Sequence, residues 1–93
     1  MPKRTASKFM LEFIREYLDG ENERIFFDQD FNYYLNQYYS KMEREDPDFA
    51  ECFVLYLAER GFDKSKGLTD AAHKELIHHQ FDEFMSAMRD GFS

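Results

Sequence analysis

The sequence predicts an all-α protein, a compact small bundle of about four helices in a single domain. Two observations carry that expectation. Apolar residues recur at the i, i+3, i+4, i+7 spacing of helices that bury one face. Only four glycines and two prolines punctuate the 93 residues, too few turns for an all-β chain. The composition agrees: Glu, Leu, Ala, Lys and Met favour helix. Eleven Phe, six Tyr and five Met supply the dense core that so short a chain needs.

The first predicted helix runs Ser7–Leu18, with Ser7 as N-cap and Asp19-Gly20 as its stop. Phe9, Met10, Leu11, Phe13, Ile14, Tyr17 and Leu18 cover roughly 200° of its circumference, so it packs on more than one side. Residues 1–6 precede it as a flexible basic tail, and the domain proper spans residues 7–93. The second helix spans Asp28–Glu45, with Glu21 as its earliest start. Phe27, Phe31, Tyr34, Leu35, Tyr38 and Met42 form its core stripe. Tyr33 points away from that stripe, and an outward tyrosine couples a large apolar face to a polar tip.

Asp46 and Pro47 open the third helix as N-cap and first residue, and it runs to Arg60. Gly61 is expected to end it in a left-handed turn, with Phe62 folding back as the apolar contact. Its predicted inner face is Phe49, Ala50, Phe53, Val54, Tyr56 and Leu57, with Leu55 opposite. Wide apolar arcs on the first and third helices suit either a central helix or a homodimer interface. A loop carrying Lys64 and Lys66 leads to the fourth helix, Asp70–Arg89, capped by Thr69 or Asp70 and ended by Asp90-Gly91. Leu76, Ile77, Phe81, Phe84, Met85 and Met88 face its core side.

One segment, HKELIHHQFDEF (His73 to Phe84), carries residues able to do chemistry. On a helix its three histidines cannot converge, because only residues three and four apart are neighbours. His73 belongs to the apolar stripe. Glu75, His78, His79, Asp82 and Glu83 form a wet patch. Glu75 and His78 have the Glu-x-x-His spacing of di-iron bundles, but the chain has no second copy. A metal-binding helical bundle using this patch is the alternative reading, and no resident cofactor is expected. Cys52 reads as a small buried hydrophobe, with Glu51 and Glu59 nearby to disfavour a thiolate. No glycine-rich cofactor loop or nucleophile elbow is present, so an enzyme is not expected.

Charge narrows the function further. The net charge is −7, and the first eight residues carry +3 of their own, which leaves −10 on the rest. Such a body repels phosphate backbones and anionic lipid, so neither direct nucleic-acid nor membrane binding is expected. The absence of a signal-like apolar run points to a cytoplasmic setting. The expected function is a non-enzymatic interaction or regulatory module that docks on a basic protein partner. Its candidate contacts are Tyr33, Glu43, Glu45, Asp46, Asp48, Glu51 and Leu55, with Glu12, Glu16, Asp19, Glu21 and Glu23 as a second acidic set. Its sharper form is a phage or mobile-element inhibitor. It would occupy the nucleic-acid-binding surface of its target, as anti-restriction and anti-CRISPR DNA mimics do.

Overall fold

The computed structural model describes residues 5–89, and over that span the chain forms four helices and no strand. Helix α1 is Thr5–Leu18 and α2 is Arg24–Glu45. Helix α3 is one rod over residues 47–65 with three windings: Pro47–Phe53 is α, Val54–Phe62 is π and Asp63–Ser65 is α again. Helix α4 is Asp70–Arg89. Of the expected basic tail, residues 1–4 lie outside the described span, while Thr5 and Ala6 are helical. The expected Asp90-Gly91 stop also lies outside it.

Each boundary has a local cause. Gly20, at φ 85°, closes α1 in a Schellman turn: its N–H donates to the Tyr17 carbonyl and that of Glu21 to the Glu16 carbonyl. Ser7 does not cap α1, as its spacing suggested; it is buried inside the helix. Asp46 does cap α3, accepting from the Asp48 and Phe49 amides at 3.1 and 3.2 Å. Thr69 rather than Asp70 caps α4, its hydroxyl accepting from the Ala72 amide at 3.2 Å. Helix α2 starts one turn before Asp28, at Arg24, whose guanidinium is tied to Asp28, Asp70 and the Leu68 carbonyl.

The end of α3 corrects the expectation at Gly61. That residue has no positive φ and the helix continues through it; the left-handed turn falls on Gly67, at φ 86°. The winding explains the difference. The residues buried here are Phe53, Leu57, Ala58, Gly61 and Phe62, whereas Val54 and Tyr56 are only half-buried. On an α-wheel those five spread over roughly half the circumference. The wider i→i+5 turn of a π-helix gathers them onto one side.

Helix α1 lies along α2, α4 lies along the π-wound part of α3, and the end of α2 packs on the start of α3. Phe27, fully buried, is where the helices meet. Its ring stacks on Tyr17 at 4.3 Å and Phe13 at 5.2 Å, and meets Phe62 at 6.4 Å and the His73 edge at 5.8 Å. A second cluster joins Phe49 and Phe53 of α3 edge-on to Phe84 of α4.

Gly61 brings the α3 backbone close to α4. A Cβ there would lie 3.1 Å from the Tyr56 carbonyl oxygen and 3.4 Å from Ile77 Cδ1. Gly61→Ala is therefore expected to lower stability by about 1–3 kcal/mol, although alanine is the better helix former. Urea unfolding of the variant checks this; an unchanged or higher midpoint contradicts it.

Candidate functional site

Three polar side chains meet in the core. Tyr17 of α1 and His73 of α4 lie 2.6 Å apart, hydroxyl to Nδ1, and His73 Nε2 lies 2.9 Å from Asp28 Oδ1 of α2. The carboxylate accepts, so Nε2 carries a proton. In the neutral ring Nδ1 then accepts from the tyrosine hydroxyl. Burial lowers the His73 pKa from its ordinary value, and this outweighs the upward pull of Asp28. Burial likewise raises the Tyr17 pKa, with Arg24 opposing and Asp28 and Asp70 adding. Both shifts favour the neutral pair. Arg24 completes the chain, with Nε 3.3 Å from Asp28 Oδ2 and Nη1 2.9 Å from Asp70. The sequence placed His73 in the apolar stripe; the structure encloses it fully and partners both ring nitrogens.

This chain forms the floor of a surface groove of about 1040 Å³ between α1, the start of α2 and the start of α4. Leu18, Ile25 and Ala71 line its apolar part, and Arg24, Asp28 and Asp70 its polar part. Tyr17 contributes a ring face covered by Lys74 Nζ at 5.1 Å. With His73 enclosed and Tyr17 held neutral, the chain welds three helices and presents no nucleophile.

The sequence-predicted contact residues separate into two kinds. Tyr33 is 60% exposed and Leu55 36%, and Glu43, Asp48 and Glu51 are also exposed. Glu45 and Asp46 instead do structural work. Glu45 reaches back across the bundle and caps α1, accepting from the Ala6 and Ser7 amides at 3.0 Å each and from the Ser7 hydroxyl at 2.9 Å. Burial pushes its carboxyl pKa up, but these bonds and one from Thr5 outweigh it and hold the pKa below the ordinary value. No spacing in the sequence links residues 38 or 39 positions apart, so this cap was not legible beforehand.

Three of the second acidic set, Glu12, Glu16 and Glu21, are brought together, while Glu23 lines the large groove instead and Asp19 is exposed elsewhere. A groove of about 350 Å³ between α1 and α2 is lined by Glu12, Glu16, Glu21 and Asp30 over the rings of Phe9, Phe13 and Tyr34. Among the described residues none of these four carboxylates pairs with a cation. Five cations are folded against rings instead: Arg15 on Phe81, Lys41 on Tyr38, Arg60 on Tyr56, Lys66 on Phe62 and Lys74 on Tyr17. Beside the groove, α2 exposes two apolar residues that the sequence reading passed over, Ile25 at 66% and Phe26 at 51%. Phe26 and Tyr33 are seven apart, which is the signal that would have found the pair.

On α4 the wet patch resolves into two separate exposed pairs, His78 with Asp82 at 3.4 Å and His79 with Glu83 at 3.6 Å. Glu75 is also exposed. Among the described residues no three His, Cys, Asp or Glu side chains gather where a metal ion could be held. Cys52 is buried, and burial, with a smaller contribution from Glu51 against Arg60, pushes its thiol up to about 11. Among the described residues no helix is long and apolar enough to cross a membrane. Comparison with protein family models, curated proteins and solved structures finds no match to this chain.

Two tests follow from these contacts. His73 is held neutral in the fold, so its contribution to stability is complete above its ordinary pKa of 6.5 and is lost as pH falls from there through the lowered folded value. The melting temperature is therefore expected to drop as pH falls below about 6.5, and His73→Gln is expected to flatten that slope while lowering the plateau. An equally steep slope in the variant contradicts the assignment. The Glu45 contribution is complete above its ordinary value of 4.5 and is lost only in more acidic solution. Glu45→Ala is expected to cost about 0.5–2 kcal/mol, with amide exchange accelerated at Ala6 and Ser7. Unchanged exchange there would mean that the cap is not formed in solution.

Proposed function

We propose that the protein is a non-enzymatic interaction module whose acidic helical surface docks on the basic surface of a protein partner. The observation that carries this reading is the α1–α2 groove, where four carboxylates without a cationic partner among the described residues overlie aromatic rings. An arginine or lysine entering it meets negative charge at the rim and π-faces at the floor, and both attract a cation. The excess of acids over bases, 19 against 12, supports the same reading, because it leaves carboxylates to dominate the outer shell. The partner surface complementary to such a shell is one that otherwise holds phosphates. The regulatory form of the proposal is thus inhibition: the module occupies a nucleic-acid-binding surface in place of nucleic acid.

The test is capture of the partner from the native host, followed by a salt titration of the purified pair. Binding is expected to weaken steeply between about 0.1 M and about 1 M salt, as the Debye length falls from about 10 Å to about 3 Å. Glu12→Gln, Glu16→Gln, Glu21→Gln and Asp30→Asn combined are expected to remove most of that dependence. Nucleic acid is expected to compete with the module for the partner. Binding that ignores both salt and the four substitutions would refute the reading.

A further inference from the structure

We infer that the outer face of the first half of α2 anchors this docking, and that its occupant is an amphipathic basic helix of the partner; the inference rests on the acidic-docking reading above. Helix α2 is aromatic on both sides. Phe27 and Phe31 are buried, while Ile25, Phe26 and Tyr33 stand 66%, 51% and 60% exposed. Solubility gives no reason for the outer set, and packing within the described chain does not cover it. Phe26 and Tyr33 lie two turns apart on one face, about 10 Å along the axis. That separation matches an apolar i, i+3 or i+4, i+7 stripe on a facing helix.

Charge selects the occupant. From Ile25 to Ser40 the chain has no lysine or arginine. Asp30, on the Phe26–Tyr33 face, opens into the acidic groove on one side of α2. On the other side, in the large groove that Ile25 also lines, Glu23, Asp28, Asp70 and Glu75 outnumber Arg24 and Lys74. The apolar strip therefore runs between two acidic margins. A second copy would set these margins against their like, on chains of net charge −7. An anionic lipid surface would meet two margins on which acids outnumber cations. A helix with an apolar stripe flanked by arginines and lysines satisfies the strip and both margins together, and burying the aromatics adds affinity that charge alone does not give.

The experiment uses the full chain, isotope-labelled for NMR, and three synthetic probes. These are a helix-forming peptide with a leucine stripe flanked by arginines, a scramble of the same composition, and an oligo-arginine of equal charge. The stripe peptide is expected to shift resonances from Ile25 to Tyr33 and along the α1–α2 groove, and to bind more tightly than the scramble. Phe26→Ser with Tyr33→Ser is expected to weaken it about tenfold or more, with little change for oligo-arginine. The mapping on the unaltered protein stands whether or not that variant folds. Shifts confined to the Leu55 side of α3 or to the α4 patch would overturn the anchor, as would equal affinity for peptide and scramble. Salt-sensitive binding of all three probes alike would overturn the anchor and leave the acidic-docking reading standing. Binding of none of them would remove both. Concentration-dependent self-association that shifts Phe26 and Tyr33 would replace the partner helix with a second copy.

Discussion

The structure depends on the hydrogen-bonded chain from Tyr17 through His73 to Asp28. It links α1, α4 and α2 around a fully buried histidine, and in such a place each polar group must be satisfied or its burial is costly. Here every donor and acceptor has one assignment. Asp28 accepts from His73 on one oxygen and from Arg24 on the other. Arg24 in turn grips the turn before α4 through Leu68 and Asp70. Phe27 packs beside this chain and brings α3 in through Phe62. Apolar attraction makes the bundle collapse; the directional bonds set the angle at which α4 closes on the other helices.

That closure shapes the surface. The same helices that meet at Phe27 diverge outward, and two grooves flank α2. Charges are sorted as the grooves form. Cations lie across aromatic rings, and two acids, Glu45 and Asp46, are drawn in as helix caps. Glu12, Glu16, Glu21 and Asp30 line the α1–α2 groove with no such use. Which acids stay available on the surface is thus partly a product of packing, beyond what net charge alone implies.

The π-wound stretch of α3 shows packing overriding local preference. Leu57, Ala58, Gly61 and Phe62 can all face α4 and the core only if the turn widens. Gly61 lets the backbone come close enough to Ile77 for that arrangement. The apolar pattern of this segment suits the π register, and Val54 and Tyr56 are left half-exposed by it.

Much of this was written in the chain itself. Helical periodicity set the class, the number of helices and most of their ends, because burial of one face repeats at short range. Phe27, Phe31, Met42, Ile77, Phe81 and Phe84 were identifiable as core, and the Asp46-Pro47 start of α3 was explicit. The acids of α1 and the following turn were visible as a set. Tertiary structure alone decided which acids remain on the surface, since Glu45 caps a helix 38 residues distant. It alone partnered His73 with residues 56 and 45 positions away. It also turned Glu12, Glu16, Glu21 and Asp30 into the lining of one groove, and chose the winding at Gly61. The reason is one of range. Propensity, periodicity and capping act within a turn or two of helix, whereas hydrogen-bond partners and grooves exist only once distant helices lie side by side.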